Sequence, residues 1–116
     1  MKYVFILNDP PYGTERSYNG LRLANALAKT EGNAVSVFLI GDAASCGASG
    51  QVTPNGYYNI ERMLKTLAAK GGKIGVCGTC MDGRGLKAEA LAEGAHRSTL
   101  DELAVWTQDA ERVIVF

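Results

Sequence analysis

Short apolar runs alternate with stretches of helical period from one end of this chain to the other, and that alternation constrains the fold more than any other feature. Tyr3 to Leu7, Val35 to Ile40, Ile74 to Cys77 and Arg112 to Phe116 are strand-length runs, and a short fifth is expected near Ala95 to Arg97. Their near-continuous hydrophobicity is that of strands covered on both faces. Between them, Ile60, Met63, Leu64, Leu67 and Ala68 fall at the i, i+3, i+4, i+7, i+8 spacing of an amphipathic helix, which Gly71-Gly72 ends. An earlier helix is predicted from a cap at Thr14 to about Lys29, with an apolar face of Leu23, Ala24, Leu27 and Ala28 and a stop at Gly32. Leu86 to Ala92 reads as a short helical turn closed by Gly94. Thr99 and Glu102 form a capping-box signature for a last helix that carries Leu100, Leu103 and Ala104. Strands separated by helices need crossover connections, so the expected fold is α/β with a mainly parallel sheet.

At 116 residues the chain forms one domain, spanning 1–116. Twelve basic and twelve acidic residues cancel. A balanced surface argues against nucleic-acid or membrane-surface binding and puts little charge repulsion in the way of self-association. No apolar run approaches the roughly 18 residues of a membrane span, and the N-terminus lacks the pattern of a signal peptide. Three cysteines, an odd number, do not make a secreted disulfide framework. The expected compartment is the cytoplasm, with the thiols reduced.

Residues 73–85, Lys-Ile-Gly-Val-Cys-Gly-Thr-Cys-Met-Asp-Gly-Arg-Gly, carry the chemistry. Cys77 ends a buried strand, where open α/β sheets place their crevices, and Cys80 follows at CxxC spacing. A cysteine in that place can be a small core hydrophobe, but a core strand end seldom leads into Asp-Gly-Arg-Gly. Cys77 is therefore the candidate nucleophile. Arg84 could lower its pKa and hold the thiolate, aided by backbone N–H groups of the glycine-rich turn. A thioredoxin-type dithiol wants its first cysteine at a helix start, and here a glycine-rich turn is expected to intervene. Zinc wants four ligands, and one CxxC supplies two; Cys46 and His96 have no partner at ligand spacing. A persulfide carrier needs one reactive thiol that a partner can reach. A CxxC serving as a redox switch in a non-catalytic module is the competing reading.

Other features read as structural. Cys46 lies in a sixteen-residue Gly/Ala/Ser-rich connection, Gly41 to Gly56, and is expected to be an incidental exposed thiol; loops of that length are functional or mobile. His96 beside Arg97 reads as structural. Tyr57 and Tyr58 are expected to close the core or an interface. Trp106, off the Leu100–Leu103–Ala104 face, is expected to pack between subunits. No GxGxxG or GxxxxGK[ST] occurs, so the residues offer no nucleotide motif.

The Pro10-Pro11-Tyr12-Gly13 turn, Gly56-Tyr57-Tyr58-Asn59-Ile60, Cys77-Gly78-Thr79-Cys80 with Asp82-Gly83-Arg84-Gly85, Glu102 to Thr107, and the terminal Arg112 to Phe116 together resemble the DsrE/DsrF-like sulfur-relay family, in its YchN-type branch. The resemblance implies a three-layer α/β/α domain with a five-stranded, mainly parallel sheet, assembled as a cytoplasmic homohexamer. It implies a persulfide on Cys77, aligned through the Arg84-Gly85 pair, with sulfur passed towards tRNA thiolation or sulfur oxidation. No cofactor is implied, and the donor and acceptor proteins are not given. Cys80 has no counterpart in the tRNA-thiolating subunit, and a neighbouring thiol can expel the outer sulfur of a persulfide as sulfide.

Overall fold

The computed structural model describes residues 1–116. Five strands form one sheet: β1 (Lys2–Leu7), β2 (Ala34–Leu39), β3 (Lys73–Cys77), β4 (Ala95–Ser98) and β5 (Arg112–Val115). The order is β4-β3-β2-β1-β5, and every pairing is parallel. Four α-helices connect them: α1 (Arg16–Ala28), α2 (Ile60–Ala69), α3 (Gly78–Asp82) and α4 (Leu100–Asp109). The fifth strand is thus where the sequence put it, and the sheet is wholly rather than mainly parallel.

The side-chain alternation of the strands assigns the layers. Phe5, Leu7, Val37, Leu39, Ile74 and Val76 face α1 and α2, meeting Leu21, Ala24, Ile60, Leu64 and Leu67 in one fully buried cluster. Phe38 points to the opposite face, where the Trp106 ring of α4 meets it edge-on at 6.3 Å. The result is a three-layer α/β/α sandwich. No residue of α4 is fully buried, so its layer is much the thinner of the two.

Several local expectations are corrected. Thr14 does not cap α1; its hydroxyl donates to Asp9 Oδ2 at 2.8 Å, and the carboxylate also takes two hydrogen bonds from Arg16. The buried face of α1 is Ser17, Gly20, Leu21 and Ala24, and Leu23 is exposed, because Gly20 lets the helix lie against Leu7 and Phe116. The 41–56 connection is not a loose loop. Gly41–Gly47 is a 3₁₀ helix that buries Ala43, Ala44 and Cys46, and Gln51 then bonds the carbonyls of Cys46 and Ala48. Within the 86–92 turn only Ala88–Ala90 is helical, again 3₁₀.

Trp106 lies over the sheet against Phe38, while Leu100 and Val105 are exposed. Gly75 makes room for it: a Cβ there would stand 3.1 Å from the indole and 3.2 Å from Ser98. Tyr58 packs within the chain, stacked on Tyr18 at 4.1 Å and on Tyr12 at 5.6 Å, whereas Tyr57 is exposed. Thr99 caps α4 by accepting from the N–H of Glu102 at 3.1 Å. The Glu102 carboxylate does not complete a capping box; it takes Ser98 Oγ and pairs with His96 instead, tying β4 to α4. No helix is long and apolar enough to cross a membrane.

Candidate functional site

The connections from β1 through β4 step along the sheet in one direction on the α1/α2 side, where Met81, Leu86 and Leu91 also pack. The connection from β4 to β5 returns across the whole sheet on the α4 side. The chains leaving β3 and β4 therefore part to opposite faces, and such a divergence opens a crevice at the carboxyl ends of the strands. Cys77 and Ser98 are paired across that opening.

Cys77 closes β3 and is the residue from which α3 springs. This corrects the expected glycine-rich turn: the helix starts at Gly78, and the Gly83-Arg84-Gly85 turn follows it. Met81, fully buried in the core cluster, pulls the chain into this turn, and its carbonyl then accepts the N–H groups of Arg84 and Leu86. Cys80 returns one turn above Cys77 and is half-buried.

The two thiols differ in kind. Burial opposes ionisation of Cys77, which is 4% exposed. Hydrogen bonds to its sulfur from the Cys80 thiol, the Thr79 hydroxyl and the backbone N–H groups of Cys80 and Thr79 outweigh that cost, and its pKa falls below the ordinary thiol value. Thr79 Oγ1 lies 3.3 Å from the sulfur. Burial raises the Cys80 pKa and its bond to Cys77 raises it further, against the N–H of Gly41 (3.1 Å from Sγ) and the charge of Arg84. The arrangement favours ionisation of Cys77 over that of Cys80.

Arg84 is near the pair but committed elsewhere. Its guanidinium bonds Asp42 Oδ1 at 2.6 Å and the Cys80 carbonyl at 3.1 Å, and its charge acts on Cys80 more than on Cys77. The site has participants that the CxxC alone did not reveal: Thr79, Gly41 and Asp42 from the 3₁₀ helix, and Arg97 with Asp82 on the β4 side. Arg97 was the most accessible of these, since parallel register puts β4 beside the cysteine strand.

Cys46 is not the exposed thiol expected. It is fully buried, with its sulfur 3.5 Å from the Asp9 carbonyl, and burial pushes its pKa up to about 12. Iodoacetamide should therefore modify Cys77 fastest, with a rate midpoint below pH 9, then Cys80, and should reach Cys46 only after denaturation. Peptide mapping of native and unfolded protein checks the order. No three His, Cys, Asp or Glu side chains gather as a metal ion would require. A cavity of about 140 Å³, walled in part by Lys2, Lys73 and Trp106, opens at the amino end of the sheet, the end opposite Cys77.

The sequence matches the model of the DsrE/DsrF-like family over residues 1–116. It is 43% identical to Protein YchN of Escherichia coli K12 over 116 residues, covering 99% of this chain and 98% of that protein. The MJ0989 protein of Methanocaldococcus jannaschii is 35% identical over 116 residues, with both chains wholly covered. Among solved structures, E. coli ychN superposes with a TM-score of 0.88 at 39% identity, covering 100% of this chain and 99% of the other. MTH1491 of Methanobacterium thermoautotrophicum shares the fold, with a TM-score of 0.75 at 14% identity and coverage of 99% and 98%.

Proposed function

The chain belongs to the DsrE/DsrF-like family, and from that membership we propose that it is a cytoplasmic sulfur carrier, holding a persulfide on Cys77 within a homo-oligomer of six copies. The observation that carries this reading is the asymmetric thiol pair at the crevice: Cys77 at the end of β3 with the Thr79 hydroxyl 3.3 Å from its sulfur and its pKa lowered, beside a Cys80 whose pKa is raised.

The chemistry needs no cofactor. The Cys77 thiolate attacks the outer sulfur of a donor persulfide; the new S–S bond forms on Cys77 as the donor's S–S bond breaks, and the electron pair leaves with the donor thiolate. An acceptor thiolate then attacks the outer sulfur on Cys77, and Cys77 leaves as thiolate. The donors that favour the free thiolate also favour the persulfide anion and the departing Cys77 thiolate. Arg84, through Cys80, adds positive charge on the same side. Incubation with a persulfide donor under reductant-free conditions, followed by peptide mass mapping, tests the reading: a gain of one sulfur on Cys77 supports it.

Cys80 governs how long the sulfur stays. Its thiolate can attack the inner sulfur of Cys77–S–SH, forming a Cys77–Cys80 disulfide and releasing hydrosulfide. Cys80→Ser keeps a hydroxyl to donate to Cys77 but removes this exit. Loading should be preserved, anaerobic persulfide decay should slow several-fold, and the disulfide should be missing after oxidation. Equal decay in both proteins would mean that Cys80 only packs beneath the turn.

The CxxC spacing, which returns Cys80 one helical turn after Cys77, also favours a second reading, a Cys77/Cys80 redox switch in a non-catalytic module. That reading predicts a disulfide of measurable potential and no sulfur gain at Cys77.

A further inference from the structure

We propose that Arg97 is the cation that holds the sulfur anion at Cys77, and that Asp82 sets how much of its charge the sulfur receives. The inference rests on the assignment of Cys77 as the reactive thiol. A Cβ at position 78 would lie 2.9 Å from Cζ, Nε and Nη2 of Arg97 alike, so the guanidinium lies flat against Gly78, the residue that follows Cys77. A side chain there would push the guanidinium away from this position. Parallel register brings Arg97 beside Val76, directly next to Cys77 on β3. Asp82, at the far end of α3, takes both ends of the fork, Nη1 at 2.8 Å and Nη2 at 3.0 Å.

Around Cys77 the titratable and charged groups are Cys80 and Asp82 on α3, Arg84 in the turn after it, Asp42 on the 3₁₀ helix and Arg97 on β4. Of the two arginines, Arg84 spends its fork on Asp42 and the Cys80 carbonyl. Arg97 instead lies against Gly78, next to Cys77, with its Nε unbonded; a charge on Cys77 acts on both arginines. An Asp82-bound guanidinium keeps its Nε and outer edge free, so it can neutralise a sulfur anion without leaving its carboxylate.

The test is the pH profile of Cys77 alkylation by iodoacetamide, which needs no sulfur donor. Arg97→Gln should move the midpoint to higher pH, leaving roughly three- to tenfold less thiolate at pH 7, and Arg97→Lys should recover part of the loss. Asp82→Asn should move the midpoint the other way, because it removes a negative charge and releases the guanidinium. A purely structural ion pair predicts shifts of the same sign from both, since each change breaks the same pair. Opposite signs support the proposal; same-sign shifts, or an unchanged midpoint in Arg97→Gln, overturn it. If Arg97→Gln does not fold, Asp82→Asn alone decides, and an unchanged or raised midpoint is the overturning result. Sulfur loading of the wild type is scored separately, so a Cys77 that never accepts sulfur would defeat the carrier reading and leave this one standing.

Discussion

Replacing Cys77 by serine should abolish sulfur loading outright while leaving the fold intact. After incubation with a persulfide donor, the one-sulfur mass gain on the peptide that contains residue 77 should vanish in Cys77→Ser and persist in Cys80→Ser. The size of the effect follows from chemistry rather than packing. A serine hydroxyl is not ionised at neutral pH and cannot attack a sulfane sulfur, whereas a thiolate can. The remaining thiols do not substitute. Cys46 is sealed in the core with its pKa pushed up to about 12, and burial together with the neighbouring Cys77 raises the pKa of Cys80. Without the Cys77 thiolate, Cys80 loses the partner that raises its pKa, so a trace of adventitious loading on Cys80 is the largest residue to expect. Sulfur that stays on the protein at wild-type level in Cys77→Ser would sink the assignment of the carrier.

The architecture was legible because its signals are periodic. A hydrophobic run of strand length, or an apolar stripe at helical spacing as in Ile60 to Ala68, keeps its meaning whatever the rest of the chain does. Even the short β4 could be anticipated, and so could Cys77 at the end of β3, because strand ends and crevices coincide in parallel sheets. What escaped were features decided by tertiary contact. Cys46 sits among Ala, Ser and Gly, a composition that suits an exposed turn and a tight 3₁₀ helix equally well; its burial is settled by Leu39 and Val76, which pack against Gly47. The helix start at Gly78 was hidden because α3 spans only five residues, too few for a period, and Met81 anchors it through long-range burial. The packing of Trp106 on its own sheet was hidden for a related reason. The face of α4 that meets the sheet is chosen by the space over Gly75, and a glycine at least twenty-five residues from any residue of α4 leaves no mark on that helix's pattern. The role of Arg97 depends likewise on a neighbouring strand.

The α4 face of the sheet is where self-association is expected, and one substitution should abolish it. β5 is an edge strand whose Val113 and Val115 alternate onto that face, with Val115 62% exposed, and α4 adds Leu100 at 57% and Val105 at 62%. On the opposite face the equivalent strand positions are covered by α1 and α2, and the exposed apolar residues outside the α4 side are Met1, Leu23, Val52 and Tyr57. Exposed apolar surface concentrated in this way is the usual mark of a protein contact. Net charge of zero adds no long-range repulsion between copies. Val115→Lys puts a charge on that face of β5. In the separate protomer the new side chain reaches solvent, so folding stability should change by no more than about 0.5 kcal/mol. In an interface the ammonium would be buried without a partner, a cost of several kcal/mol repeated at every symmetry-related contact. Sedimentation at micromolar concentration should therefore give an oligomer for the wild type and a 12.3 kDa species for Val115→Lys, with matching far-UV circular dichroism. A wild type that sediments only at 12.3 kDa would remove the oligomer from the proposed function. An unchanged oligomer in the variant would move the interface to another surface, and the next place to examine is the exposed Val52–Tyr57 segment, where both of those side chains stand in solvent.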